Sequence, residues 1–484
     1  MQAAGTPQRR PALCRVGQAQ GATPAGRMLV FRMSDSSFLE TREHQLRKLR
    51  LVMTDGNLTT NALSSERGVS ARAWRKGYWG FASAPLVQAD GAATRSRVQQ
   101  QALAHATTMS RFGPRRQAPP AGARWRGEQG SAGPIRLAAR EVGERLRAID
   151  AWCRRRFTGL VAVNLLATEE SHDKQLQSDQ GVAARLGIER AALAIEFIGQ
   201  ADDGAPIQVR EVLSARGGLG DLAWQPSLLE PLLDTLHGHL QAKRHAVPAR
   251  GGEHTVVLAP DLAGMLAHEA MGHPCEADCV LAGAVTATRV GQPVASELVT
   301  MADLAHHWNG QELMVPVYAD DEGTPAEDVV MIDRGRLAGF MHSRETAALM
   351  GQAPTGNARA YGPHDEPLVR MRNTVILPGD STLEQMIEGV DDGYLLLRTS
   401  NGEADTTTEF MFGVSLGYEI RGGRVGRAIR DTTLSGNAMA VLASVDAVGS
   451  EMHWDCAGYC GKKQPMIVSV GGPALRARAH LGGE

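Results

Sequence analysis

Cysteine is scarce in this chain: six in 484 residues cannot build a disulfide scaffold, which fits a reducing compartment. Net charge is almost absent as well, at −2, so no strong field draws the protein to nucleic acid or to an acidic membrane surface. No apolar run reaches the roughly 18 residues of a membrane-spanning helix. The opening of the chain lacks the apolar core of a secretory signal. The glycine-rich "GGLGDLAW" at 217–224 lacks the Lys-Ser/Thr of a phosphate loop, which argues against nucleotide binding. These absences lead to the expectation of a cytoplasmic protein with no direct nucleic-acid partner and no membrane.

Length is what the chain has in quantity. It exceeds what one core supports, so two or more domains are expected. Residues 1–35 are rich in Arg, Gly, Ala and Pro, have almost no acid and no periodicity, and are expected to be a disordered tail. Translation starting at Met28 or Met33 would explain them equally well, and a transit peptide has similar composition. Residues 36–250 are expected to form an α+β domain. In it, "SSFLETREHQLRKLRL" reads as a helix or helical hairpin, "GVSARAWRKGYWGFAS" as a β-hairpin and "AATRSRVQQQALAHATTMSRF" as a helix. An exposed Pro/Gly/Arg-rich linker follows at about 114–133, then a helix, three alternating strands of an antiparallel sheet, and a last helix. Residues 251–484 are expected to be mostly β, in short apolar runs such as "LMVPVYAD", "NTVILPG" and "MIVSVGG", curving or closing around a site and carrying one important helix.

That helix lies in "LAPDLAGMLAHEAMGHPCEAD", residues 258–278. Pro260 and Asp261 predict its start, with Asp261 capping the first turn, and Leu262, Met265 and Leu266 form one apolar stripe. His268 and His273 are five residues apart, whereas helical residues that share a metal are normally four apart, about 40° around the axis. Either a π-bulge absorbs the extra residue, or the helix ends at Gly272 and His273 swings back; the glycine sits where the second option needs it. With both imidazoles on one cation, Glu269 has the placement of a carboxylate that takes a proton from water activated there. A third ligand is required. Candidates are Cys275, Cys279, Glu276, Asp278 and the pair Cys456 and Cys460, and spacing alone leaves the choice open. A structural zinc held by Cys275, Cys279, Cys456 and Cys460 competes with the catalytic reading.

These segments resemble the TldD/PmbA family of metallopeptidases, specifically the metal-equipped TldD type. "HEAMGHPCEAD", "DDEGTPAEDVVMIDRGRLAGFMHSR", "TGNARAYGPHDEPLVRMRNTVILPG", "GYEIRGGRV" and "GYCGKKQPMIVSVGGPALR" follow the family's order, and "GVSARAWRKGYWGFAS" is similar to its Gly-Trp-Gly-Phe-Ala hairpin. The resemblance covers about residues 40–480. It implies one zinc per chain held by His268, His273 and Cys460, with Glu269 as general base. Cys275, Cys279 and Cys456 have no counterpart and are taken as packing thiols. It further implies a dimer, with a second copy or with a metal-free relative, enclosing a site reached by unfolded peptide. "TSNGEADTTTEF" and "HWDCAGYCGKKQ" depart from the family pattern, which bears on substrate choice.

Other polar residues are weighed beside this set. The run Asp320, Asp321 and Glu322 could hold a second metal, but the following Gly-Thr-Pro favours a solvated turn. Tyr361 and His364 are candidates for stabilising a tetrahedral oxyanion, and Arg370 and Asn373 for holding substrate backbone or locking a hairpin. The expected activity is zinc-dependent hydrolysis of unfolded or extended peptides. The alternatives are an amide hydrolase of a small biosynthetic intermediate and an interaction protein with a structural zinc.

Overall fold

A computed structural model gives the structure of residues 37–87, 91–113, 122–130, 133 and 136–483; the tail expected over 1–35 lies outside them. The chain opens with β1 (Ser37–Thr54), β2 (Asn57–Arg75) and β3 (Tyr78–Pro85), an antiparallel meander. Its two turns, Asp55-Gly56 and Lys76-Gly77, have positive φ at both residues, the tight hairpin geometry that matches strand twist and that glycine permits. The expected hairpin at 68–83 is therefore present, and the expected helix after it is α1 (Gly91–Met109), which buries Val98, Ala102 and Ala106. Gly80 lets this helix sit on β3: a side-chain carbon there would lie 2.2 Å from the carbonyl oxygen of Ala102.

The helix predicted for "SSFLETREHQLRKLRL" is instead the body of β1. Its buried positions alternate, Phe38, Glu40, Arg42, His44 and Leu46, which is strand periodicity with charged residues on the inner face. Their partners come from far away: Glu40 pairs with Arg344, Arg42 with Asp321 at 3.5 Å, and His44 meets His172 at 3.1 Å.

The expected linker is also corrected in part, because β4 (Arg126–Gly130) pairs in parallel with an edge of the sheet although its side chains are exposed. After α2 (Ala139–Arg156) come β5 (Ala162–Ser178), β6 (Ala183–Gln200) and β7 (Pro206–Arg216), the three alternating strands predicted, and then α3 (Pro226–Arg244). The sheet order is β3-β2-β1-β5-β6, with β4 and β7 sharing the far edge of β6. Leucines of α2 and α3 pack on this sheet around Leu51, Leu165, Leu193 and Phe197.

β8 (Gly252–Leu258) begins the strand-rich half. It pairs in parallel with 392–404 and antiparallel with 475–481; through 432–437 and 409–421 the ring returns to 392–404, closing a small five-stranded barrel. A second, six-stranded sheet runs 336–337, 329–333, 301–304, 373–376, 469–472, 453–455. The fold is α+β as expected, with the helix of interest in the strand-rich half. "LMVPVYAD" does not form the predicted strand. Asn373 explains why: its amide accepts from the Val315 N–H and donates to the Val315 carbonyl, so a side chain replaces a neighbouring strand.

The acidic run is neither a solvated turn nor a metal site. All three residues are buried. Asp320 accepts from the backbone N–H groups of Glu322, Thr324 and Ala358. Asp321 accepts from Lys174 at 2.8 Å and Glu322 from Arg72 at 2.6 Å. Both partners belong to the N-terminal sheet, so these carboxylates fasten one half of the chain to the other.

Candidate metal centre

α4 (Pro260–Met265) leaves β8 with proline in its first turn and packs between the barrel strand 392–404 and the strand 469–472. Leu262 and Leu266 are fully buried, as the apolar stripe requires. Asp261 does not cap the helix. Its carboxylate accepts from the Thr399 N–H at 2.9 Å and so ties α4 to the barrel.

The helix does not end at Gly272. It continues from α4 as a π-helix over Leu266–Gly272, and the His273 N–H bonds the His268 carbonyl. A hydrogen bond spanning five residues stacks residues five apart on one face, so the wide His-Glu-x-x-x-His spacing becomes a shared site. Gly272 keeps helical angles, and its role is space: a side-chain carbon would lie 2.2 Å from the Met371 sulfur. Gly272→Ala is expected to cost about 2 kcal/mol through overpacking, measured by urea unfolding, and in a double-mutant cycle the same change should cost less in a Met371→Ala background. A single variant as stable as its parent would show that this contact does not require glycine.

His268, His273 and Cys460 converge, with one ligand atom from each lying within 4.8 Å of the others. The imidazole planes stand at 81°, and Cys460 Sγ is 3.2 Å from His273 Nε2. Glu269 reaches over the same space, 3.4 Å from His273 Nε2 and 3.9 Å from His268 Nε2. His273 Nδ1 is bonded to Glu276 at 2.7 Å, a buried carboxylate that fixes the ring and leaves Nε2 for a ligand. Glu276, one of the candidate third ligands, is thus an outer partner. Both ring nitrogens of His268 are buried without a hydrogen-bond partner, a costly state unless something coordinates there.

Electrostatics tell the same story. Burial pushes the Cys460 thiol up, but the His268 and His273 rings outweigh it and bring it to about 5, which makes it a thiolate. Burial raises Glu269 too, yet His273 and His268 hold it below the usual carboxylate range. His273 is lowered by burial but lifted well above its ordinary value by Glu276, Cys460 and Glu269. His268 is raised as well, by Cys460 and Glu269 against its burial, so protons on the two rings balance these anions, and a cation bound to the two rings and the sulfur would take the place of those protons. Nitrogen, nitrogen and sulfur donors are a set that zinc accepts, with a fourth position left for water or substrate.

Among the described residues one other acidic or thiol group comes together, Glu276, Asp278 and Cys279. The Lys462 ammonium already fills it, 3.0 Å from Glu276 and 2.9 Å from both Asp278 oxygens. The four-thiolate site does not form among the described residues. Cys275 and Cys456 are buried thiols pushed up by that burial to about 12 and about 11, as packing residues would be.

None of the four candidate substrate residues belongs to the converging set, and each is engaged with other groups of the chain. Arg370 is buried and donates to the carbonyls of Cys460 at 2.7 Å and Gln464 at 2.8 Å. Asn373 is equally buried and occupied by Leu304 and Val315. Both hold one stretch of chain to another through these bonds. The Tyr361 hydroxyl is given to Glu170 at 2.6 Å, and His364 faces Glu66 at 3.4 Å. Glu170 was not singled out from sequence, since it precedes no motif and acquires its partners only through folding.

An α+β scaffold with a His/His/Cys cluster able to hold a metal and an adjacent carboxylate has the makings of a metal-dependent hydrolase site. Residues 251–481 match the PmbA/TldA metallopeptidase C-terminal domain and residues 39–94 match PmbA/TldA metallopeptidase domain 1, and the chain belongs to this PmbA/TldD metallopeptidase family. The zinc metalloprotease TldD homolog of Saccharolobus solfataricus is 31% identical over 289 residues, 60% of this chain and 63% of the relative. A metalloprotease of Synechocystis is 35% identical over 301 residues, 59% and 61% of the two chains. The match therefore spans about three fifths of these curated relatives. The crystal structure of TldE from Thermococcus kodakarensis superposes with a TM-score of 0.71 at 16% identity, covering 91% of this chain and 96% of that one. A Thermotoga maritima structure gives 0.73 at 17% identity, with the same coverage. At such identities these structures speak for the fold alone.

Proposed function

We propose that this chain is a zinc-dependent peptidase, with one zinc per chain, that hydrolyses peptide bonds of unfolded or extended peptides. The observation that carries the reading is the convergence of His268, His273 and Cys460 beside an ionised Glu269, with both His268 nitrogens buried and without a hydrogen bond. Zinc held by these three side chains supplies Lewis acidity to the scissile carbonyl and to water. Glu269, deprotonated at neutral pH, takes the proton of the attacking water and returns it to the leaving amine. Glu276 holds the His273 ring in one tautomer and orientation, and Arg370 holds the backbone of Cys460. The substrate binds extended along a strand edge, where backbone hydrogen bonds tolerate varied sequence.

Assembly with a second copy or with a metal-free relative, and a cytoplasmic location, belong to the same proposal. The described cysteines are all free thiols, and no described helix is long and apolar enough to cross a membrane. The test is cleavage of a panel of unfolded proteins and small amides by the zinc-loaded chain. Cuts in the unfolded proteins, stopped by a chelator and restored by zinc, are expected; turnover of small amides alone would contradict the peptidase reading.

A further inference from the structure

Cys460 is carried by a two-stranded ribbon, Tyr459–Lys462 against Gln464–Ile467, that joins none of the three large sheets. Two strands alone are marginal in water, so the thiolate is only as well placed as the ribbon's outside contacts. Some come from the strand-rich half, through Arg370 and through Lys462. The others come from the N-terminal sheet. Arg190 of β6 donates to the Gly458 carbonyl at 2.6 Å and also to that of Cys456. Ser214 of β7 accepts from the Cys456 N–H at 3.2 Å and donates to Asp455 at 2.8 Å. Successive strand residues point to opposite faces. Cys460 therefore meets the imidazoles, while Tyr459 turns toward β5 and donates its hydroxyl to Glu170 at 2.6 Å, its ring 4.1 Å from the Arg190 guanidinium.

Glu170 gathers these contacts. It is buried, pairs with Arg190 at 3.2 Å, meets His172 at 3.1 Å and accepts from the Tyr361 hydroxyl as well. Burial raises its carboxyl, but His172, Arg190 and Tyr361 bring it well below the usual range, so it is an anion able to accept from both phenols. We propose that Glu170 is a positioning residue for the metal centre: through Tyr459 and Arg190 it fixes, from the neighbouring domain, the strand that carries Cys460. Docking of the N-terminal domain then sets the affinity for the metal. This rests on the metal reading of the preceding section but asks a separate question of it.

The experiment uses the full chain with cobalt(II) as the probe, reading thiolate-to-cobalt charge-transfer absorption, and with zinc affinity measured by chelator competition. Glu170→Gln is expected to weaken zinc binding about tenfold or more, the scale of losing an outer-shell partner, and to diminish the charge-transfer band. Tyr459→Phe removes one hydroxyl from a half-exposed ring and should shift both in the same direction, by less. Glu211→Gln breaks a different contact between the halves, Glu211 to Arg398 at 2.6 Å, and should change neither. Parent-like binding by Glu170→Gln and Tyr459→Phe would overturn the inference. An equal loss in Glu211→Gln would also overturn it, since docking in general would then be responsible. Should Glu170→Gln fail to fold by circular dichroism, Tyr459→Phe decides alone. A parent chain with no charge-transfer band would instead sink the metal reading itself.

Discussion

Glu269→Gln is expected to abolish peptide cleavage while the protein keeps its zinc, its fold and its stability. The carboxylate stands 3.4 Å from His273 Nε2 and 3.9 Å from His268 Nε2, beside the ligand atoms without being one of the converging set. The amide has the same shape, so packing on the π-helix is retained, but it cannot accept a proton. General-base assistance of this kind is worth a rate factor of about a hundred to ten thousand. The fall should appear in kcat, with bound zinc unchanged by metal analysis. A variant that cuts at the parent rate would remove Glu269 from the chemistry, and one that loses its zinc would reassign it as a ligand.

Asp303→Asn is expected to be the most damaging single change to stability. Asp303 and Arg372 are both fully buried and meet at 2.7 Å. The same carboxylate also accepts from the Arg372 N–H at 2.7 Å and from Asn357 at 2.8 Å. Arg372 in turn donates to the Glu327 carbonyl at 2.7 Å. Neutralising the acid leaves a guanidinium buried without its counter-charge, a loss of about 3–5 kcal/mol. Urea unfolding of the metal-free protein measures it, and a loss below about 1 kcal/mol would mean that the interior tolerates the lone cation. The consequence reaches the site, because residues 370–373 run from the arginine that grips Cys460 to the asparagine that shapes 313–320.

What the sequence revealed and what it concealed divide on one physical point. The hairpin with the Lys76-Gly77 turn, the alternating strands β5 to β7 and the helices α1 to α3 were legible because local chemistry specifies them. β1 was not, because Glu40, Arg42 and His44 sit on its inner face, and a pattern of polar residues reads as an outside surface until Arg344, Asp321 and His172 arrive from elsewhere in the chain. The run Asp320, Asp321 and Glu322 was misread for the same reason. At the metal centre, His268 and His273 announce themselves, but Gly272 suggested a helix end when its purpose is to admit Met371. Spacing could not choose among the cysteines. The resemblance pointed to Cys460, and the structure places that sulfur, and not Cys275, Cys279 or Cys456, with both imidazoles. The contribution of the N-terminal domain lay beyond any motif, since Glu170 is 290 positions from Cys460 in the chain.

The most direct test is X-ray absorption at the zinc edge on the full-length, zinc-reconstituted protein. One sulfur and two imidazole nitrogens around each zinc, with a light atom completing the shell, is the expected result, and it should lose its sulfur in Cys460→Ala. A shell of four sulfurs, or one with no sulfur at all, would contradict a centre built from His268, His273 and Cys460.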